Sequence, residues 1–225
     1  MKLFIFLTFL LLSCTPKTKE SDEKVTINEI EIKKSILDEL EEATGKKIEP
    51  LKTEIWVRVP DNELDFKPVD SIMKGIQIPF VEDKIARALV RKSLDKVKAE
   101  GYYIYLRNLD FDKEFVNSYY DIAIVKVADQ FELIKFAQTD GVNYNVSNDM
   151  IVEKLKKWNE ESPFVIITAD MDRIEADFIQ LPKDMTAFAR DMYEFCPDVI
   201  DQGAESEEEL INYFKTEKGF WLWWD

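Results

Sequence analysis

Apolar residues recur along the chain with two periods, one helical and one of the pleated strand. Ile32, Ile36, Leu37 and Leu40 share a helical face, and Gly45 ends it. Thr26-Ile27-Asn28-Glu29 stands in front with the form of a capping box. A second helix is predicted over 81–100, with Ile85, Leu89, Val90 and Leu94 inward and Gly101 at its end. Asp129-Gln130-Phe131-Glu132 caps a short helix carrying Leu133, Phe136 and Ala137. Ser147 opens the next, where Ile151, Leu155 and Trp158 line up. Asp184 caps a helix with Met185, Phe188, Ala189 and Met192 inward. Ser206-Glu207-Glu208-Glu209 caps the last, with Leu210, Ile211 and Phe214 as its stripe.

Between the helices the pattern tightens to short apolar runs or strict alternation. Strands are predicted at 54–59, 102–106, 122–127, 163–168 and 173–179, the last two paired. The aromatic run Phe220-Trp221-Leu222-Trp223-Trp224 reads as a final strand over 219–224, because each large ring has much apolar area to bury. Residues 61–79 follow Pro60, hold Pro68 and Pro79, and read as mostly loop. The acidic and aromatic segment 108–120 reads as an excursion at the sheet's edge. The order of elements predicts an α/β chain, with α+β as the alternative arrangement. A single mixed sheet of five or six strands would be covered by helices.

The two ends carry different signals. Lys2 followed by an apolar run over 3–12 is too short to span a bilayer and reads as a signal peptide over 1–13. Leu11-Leu12-Ser13-Cys14 resembles a bacterial lipobox, which implies cleavage before Cys14 and lipidation of its thiol and amine. Thr15 follows in place of an inner-membrane Asp, so the resemblance implies an outer-membrane, cell-envelope address. Residues 14–25 read as a polar, flexible tether and 26–225 as the folded domain. More than one acyl chain on Cys14 anchors stably, where one is marginal.

The chain has 30 basic and 45 acidic residues. Without Lys2 the count is 29 against 45, a net charge of −16. Such a surface excludes nucleic acid as a natural partner and suits cations or a basic protein. No histidine is present, so no catalytic mechanism can use one. With Cys14 lipidated, Cys196 has no cysteine to pair with, and the fold must rest on its apolar core.

Spaced motifs in the second half carry a further resemblance. They are Asp140-Gly141-Val142-Asn143-Tyr144, Trp158, Leu181-Pro182, Phe188-Ala189, Tyr193-Glu194-Phe195-Cys196-Pro197-Asp198, Asp201-Gln202-Gly203 and Leu222-Trp223-Trp224-Asp225. Together they resemble the bacterial domain of unknown function 4253, over 102–225. Some members of that family carry a His just before the Phe-Cys-Pro-Asp segment, where this chain has Met192 and Tyr193. The family has no assigned activity, so the resemblance implies fold and boundaries rather than mechanism.

Three constellations are candidates for chemistry. Cys196 before Pro197 could cap a helix N-terminus, where a thiolate is stabilised, but nearby Glu194, Asp198 and Asp201 favour a structural thiol. Asp198 and Asp201, with Asp225, offer oxygen ligands suited to Ca²⁺ or Mg²⁺, against a plain reading as caps and surface. Asp140, Asn143 and Tyr144, with Gln202, offer a polar loop that could line a ligand site; the alternative is a self-bonded turn. Two functions follow as expectations. One is a lipid-anchored module that binds a small-molecule or protein partner without catalysis. The other is a cation-assisted hydrolase using Asp198 and Asp201.

Overall fold

The computed structural model describes residues 23–58 and 66–224. The signal peptide, Cys14 and Asp225 lie outside the described residues. Nine strands and six α-helices occur among those described. β1 (Lys24–Ile27) and β2 (Ile30–Lys33) form a separate two-stranded hairpin. β3 (Glu49–Arg58), β4 (Phe66–Glu82), β5 (Tyr103–Phe111), β6 (Ser118–Val125), β7 (Phe164–Ala169), β8 (Arg173–Phe178) and β9 (Gly219–Trp223) form one seven-stranded sheet. Its order is β3-β4-β6-β5-β7-β8-β9. The mixed sheet and α/β class are as the pattern predicts, but seven strands plus a hairpin replace the five or six expected.

Each extra strand has a physical reason. Thr26–Glu29 does not cap a helix. Val25, Ile27, Ile30 and Ile32 alternate instead, and Ile27 pairs with Ile30 across a two-residue turn. Asn28 and Glu29 both have positive φ there, 45° and 69°, as a type I′ hairpin turn requires. Lys24 and Val25, read with the tether, therefore begin β1. Ile32 belongs to β2, and α1 (Lys34–Thr44) follows with Ile36, Leu37 and Leu40 buried.

Most of 61–79 is strand rather than loop. Pro68 pairs with Trp56 in a part of β4 that has β3 alone as its neighbour. Pro79 falls where the β4–β6 register shifts between Ile78 and Val81. Both are places where a missing N–H removes no central ladder bond. Nor is 108–120 an edge excursion. β5 and β6 are central and continue outward as a hairpin, pairing Asp110 with Tyr119 and Phe111 with Ser118.

α2 (Asp83–Ala99) buries Ala86, Leu89, Val90, Leu94 and Val97, but Ile85 faces solvent. Its inward stripe starts one residue later than predicted because α2 begins at Asp83 rather than Val81. α1 and α2 lie on one face of the sheet, where Arg87 reaches Tyr120 of β6 and Glu175 of β8. α3 (Gln130–Ala137), α4 (Asn148–Glu161) and α5 (Met185–Phe195) lie on the other, and α6 (Glu207–Glu217) packs beside β9. There Phe220 meets Trp158, Phe164 and Phe188 edge-on, at 5.0–5.9 Å between centroids. The predicted caps at Asp129, Ser147, Asp184 and Ser206 all accept from backbone N–H groups of the first turn. β4 pairs with β6, so the N-terminal strands and the second half share one sheet.

Candidate functional site

Two regions of the molecule hold polar chemistry. The first is where the chain's last strand meets α5. Cys196 is the C-terminal cap of α5, not the N-cap of a helix, since its N–H returns to the Met192 carbonyl. After Pro197 the backbone forms a π-helical turn, Val199–Ala204. The Cys196 thiol is fully buried and donates to the Trp223 carbonyl at 3.0 Å. Burial pushes its pKa up to about 12, so it is a thiol at neutral pH rather than a nucleophile.

Asp198 is also buried. Its Oδ1 accepts from the Tyr144 hydroxyl at 2.6 Å and from Gln202 Nε2 at 2.9 Å. The Asp198 carboxylate in turn lifts the Tyr144 phenol to about 12. Three residues predicted as site residues, Tyr144, Asp198 and Gln202, thus come together, and they bond one another. Asp140 and Asn143 are exposed on the same loop, where Asp140 Oδ1 accepts from the Val142 N–H. Asp201 faces solvent and accepts from Tyr193 at 3.1 Å. Asp198 is thus buried and Asp201 exposed. Among the described residues no group of three or more His, Cys, Asp or Glu is placed to hold a metal ion.

Glycines let this region close. A Cβ on Gly141 would stand 2.7 Å from Trp224 Cδ1, and one on Gly203 would stand 2.0 Å from the far edge of the Trp221 ring. Trp224 is 3% exposed and its N–H returns to the Asp172 carbonyl. The Asp-Gly and Gln-Gly motifs thus each set a glycine against an indole of the chain's last segment, Trp224 and Trp221 respectively.

The second region was not predicted. β5 and β7 are the one parallel pair in the sheet, joined at Leu106 and Thr168. Open sheets bind ligands beyond the carboxyl ends of parallel strands, where connections diverge. Here a cavity of about 630 Å³ opens at that place. Its polar walls are Lys52 and Thr53 of β3, Gln77 of β4, Tyr105 and Arg107 of β5, and Asp170 after β7. The end of α3 closes it with Phe136, Ala137 and Gln138.

Most of these groups are held firmly. Gln77 Oε1 accepts from the Lys52 N–H, and its Nε2 donates to Glu49. Asp170 accepts from the N–H groups of Asn108 and Met171, and its carbonyl receives the Thr139 hydroxyl. Tyr105 is 1% exposed, and burial holds its phenol well above the ordinary range, so it stays protonated. Sequence did hold a signal for this region. Arg107 follows the apolar run 103–106 and Asp170 the apolar run of β7, and a charge set beside such a run is costly unless it meets a polar site.

Compared with known proteins, residues 121–225 match the family model described as Domain of unknown function (DUF4253). The match takes in the whole packed region at the chain's end but only part of the cavity wall. No curated protein and no solved structure matches the chain.

Proposed function

We propose that this chain is a lipid-anchored bacterial envelope protein of the outer membrane, whose domain binds a small molecule in the cavity at the β5–β7 ends without catalysis. The carrying observation is the cavity itself. Its volume lies in the range of small-molecule sites, and fixed polar groups share its wall with the apolar Met73, Phe136, Ala137 and Met171. A cation-assisted hydrolase at Asp198 and Asp201 has less support, because the oxygen it needs already accepts two hydrogen bonds. The lipid anchor rests on Leu11-Leu12-Ser13-Cys14 alone.

The test is retention of small molecules. The purified protein is equilibrated with a bacterial metabolite extract, washed, denatured and analysed by mass spectrometry beside Ala137→Trp, which fills the cavity. A compound held by the parent and lost from the variant is expected. Identical retention by both would end the proposal. For the anchor, Cys14→Ser should abolish incorporation of labelled palmitate and release the protein from membranes.

A further inference from the structure

Arg107 differs from the other arginines whose side chains are described. Arg87 donates to Asp83 and Glu175, Arg91 to Asp177, Arg173 to Glu175 and Arg190 to Glu207. Arg107 is more buried than any of these, at 9% exposed. Yet it has no carboxylate partner among the described residues. Its one hydrogen bond runs from Nη1 to the Lys52 carbonyl at 3.0 Å. A guanidinium carries five N–H donors in a planar fork, so most of its capacity is unspent. Burying such a cation without a counter-charge is costly.

The described charged groups nearby are engaged elsewhere. Lys52 adds a second cation, but its ammonium is paired with Glu49 at 3.2 Å. Asp121 stands opposite Arg107 in the β5–β6 ladder, and its two oxygens accept from the Phe80 N–H and Asn108 Nδ2. Asp170 lies on the cavity wall and is likewise held by two backbone donors. The Tyr105 hydroxyl, two residues along the same strand face, has no hydrogen-bond partner among the described residues. The Arg107 fork and the Tyr105 hydroxyl thus open on one chamber, with donors that no described protein group accepts.

We infer that the cavity binds an anionic small molecule whose carboxylate or phosphate oxygens accept from the Arg107 guanidinium and the Tyr105 hydroxyl. This rests on the reading of the cavity as a ligand site. Arg is suited to either group because its fork matches two oxygens at once. The nearby Asp170 disfavours a ligand that is negative throughout, so the rest of the molecule is neutral or carries a donor toward that wall.

The experiment titrates the full-length protein by calorimetry with four probes: succinate, phenyl phosphate, and their neutral twins succinamide and phenol. Tighter binding of at least one anion than of its twin is expected, and whichever anion binds separates the two sources. Arg107→Gln should weaken that anion by about 10- to 100-fold and leave its twin unchanged. Arg107→Lys should restore part of the preference, since it keeps the charge and loses the fork. A merely structural arginine would lower stability in the variant while leaving the anion-to-neutral ratio intact, and that result overturns the inference. Equal binding of anions and twins, blocked by Ala137→Trp, also overturns it while leaving the ligand site standing. No binding of any probe, together with no compound lost in Ala137→Trp, would remove both.

Discussion

The packed unit at the chain's end and the cavity at the parallel joint use polar residues in opposite ways. At the end, Asp198 spends its oxygen on Tyr144 and Gln202, Cys196 spends its proton on a carbonyl, and glycines bring indoles into contact. Most polar groups of the motifs that stand out in the sequence are consumed in holding the fold; the Trp224 indole N–H is the exception, closed off from solvent and without a hydrogen-bond partner among the described residues. At the joint, Arg107 and Tyr105 keep unspent donors at an open chamber, although neither sits in a conspicuous motif. A segment that looks special in sequence can be special for packing, whereas capacity to bind shows as donors left over.

The largest effects should come from breaking the packed side of that comparison. Trp224→Ala removes an indole that is 3% exposed and sits on Gly141 and Phe195. It should cost about 3–5 kcal/mol by denaturant unfolding, as large-to-small aromatic changes do. A cost under about 1 kcal/mol would mean the end of the chain is not docked as described.

A similar loss is expected from the buried ion network around Glu175. Glu175 is 7% exposed and accepts from Arg87, Arg173 and Tyr120. Glu175→Gln leaves two partly buried guanidinium groups without their charge and should cost about 3–5 kcal/mol. The same residue sets an acid limit. Burial alone would raise its pKa, but the two arginines outweigh that and hold it below the ordinary carboxylate range. Its stabilisation is therefore present above the unfolded value, about 4.3, and is lost as pH falls through the lower folded value. Melting curves of the parent from neutral to acid pH should fall more steeply there than those of Glu175→Gln. Parallel curves would remove Glu175 from the account. This network is the control for Arg107, since it shows what the fold does with a buried arginine that is purely structural.

Next in size is Gly203→Ala. Its Cβ would overlap the Trp221 ring, which must shift, and overpacking of this kind costs about 1–3 kcal/mol. If the variant is as stable as the parent, Trp221 has room and the glycine is there for the turn alone.

How much of this was legible follows from where the signals lie. Helices α3 to α6 were readable because each has a side-chain cap and an apolar stripe. β1, β2 and β4 were missed because two-residue alternation over four residues is weak, and because prolines at an edge and at a bulge hide a strand that is otherwise regular. The clustering of Tyr144, Asp198 and Gln202 could be guessed from shared motifs, but that they satisfy one another could not. The cavity was invisible because its walls come from β3, β4, β5, α3 and the end of β7, which only the sheet order brings together.

The smallest expected effect is also the sharpest test of the comparison, because one chemical change is made in both regions. Tyr144→Phe takes one donor from the buried Asp198 and leaves Gln202 among its remaining partners. Stripping a buried charged acceptor of a partner costs about 1–3 kcal/mol, and the remaining amide places this case at the low end. Tyr105→Phe removes the same hydroxyl from the cavity, where no protein group accepts from it among the described residues. Nothing is left unpaired, so stability should change by no more than about 0.5 kcal/mol in either direction. Equal losses in the two variants would mean that Tyr105 is bonded within the fold. A measurable loss for Tyr144 beside none for Tyr105 would show that one hydroxyl belongs to the structure and the other is held in reserve for a ligand.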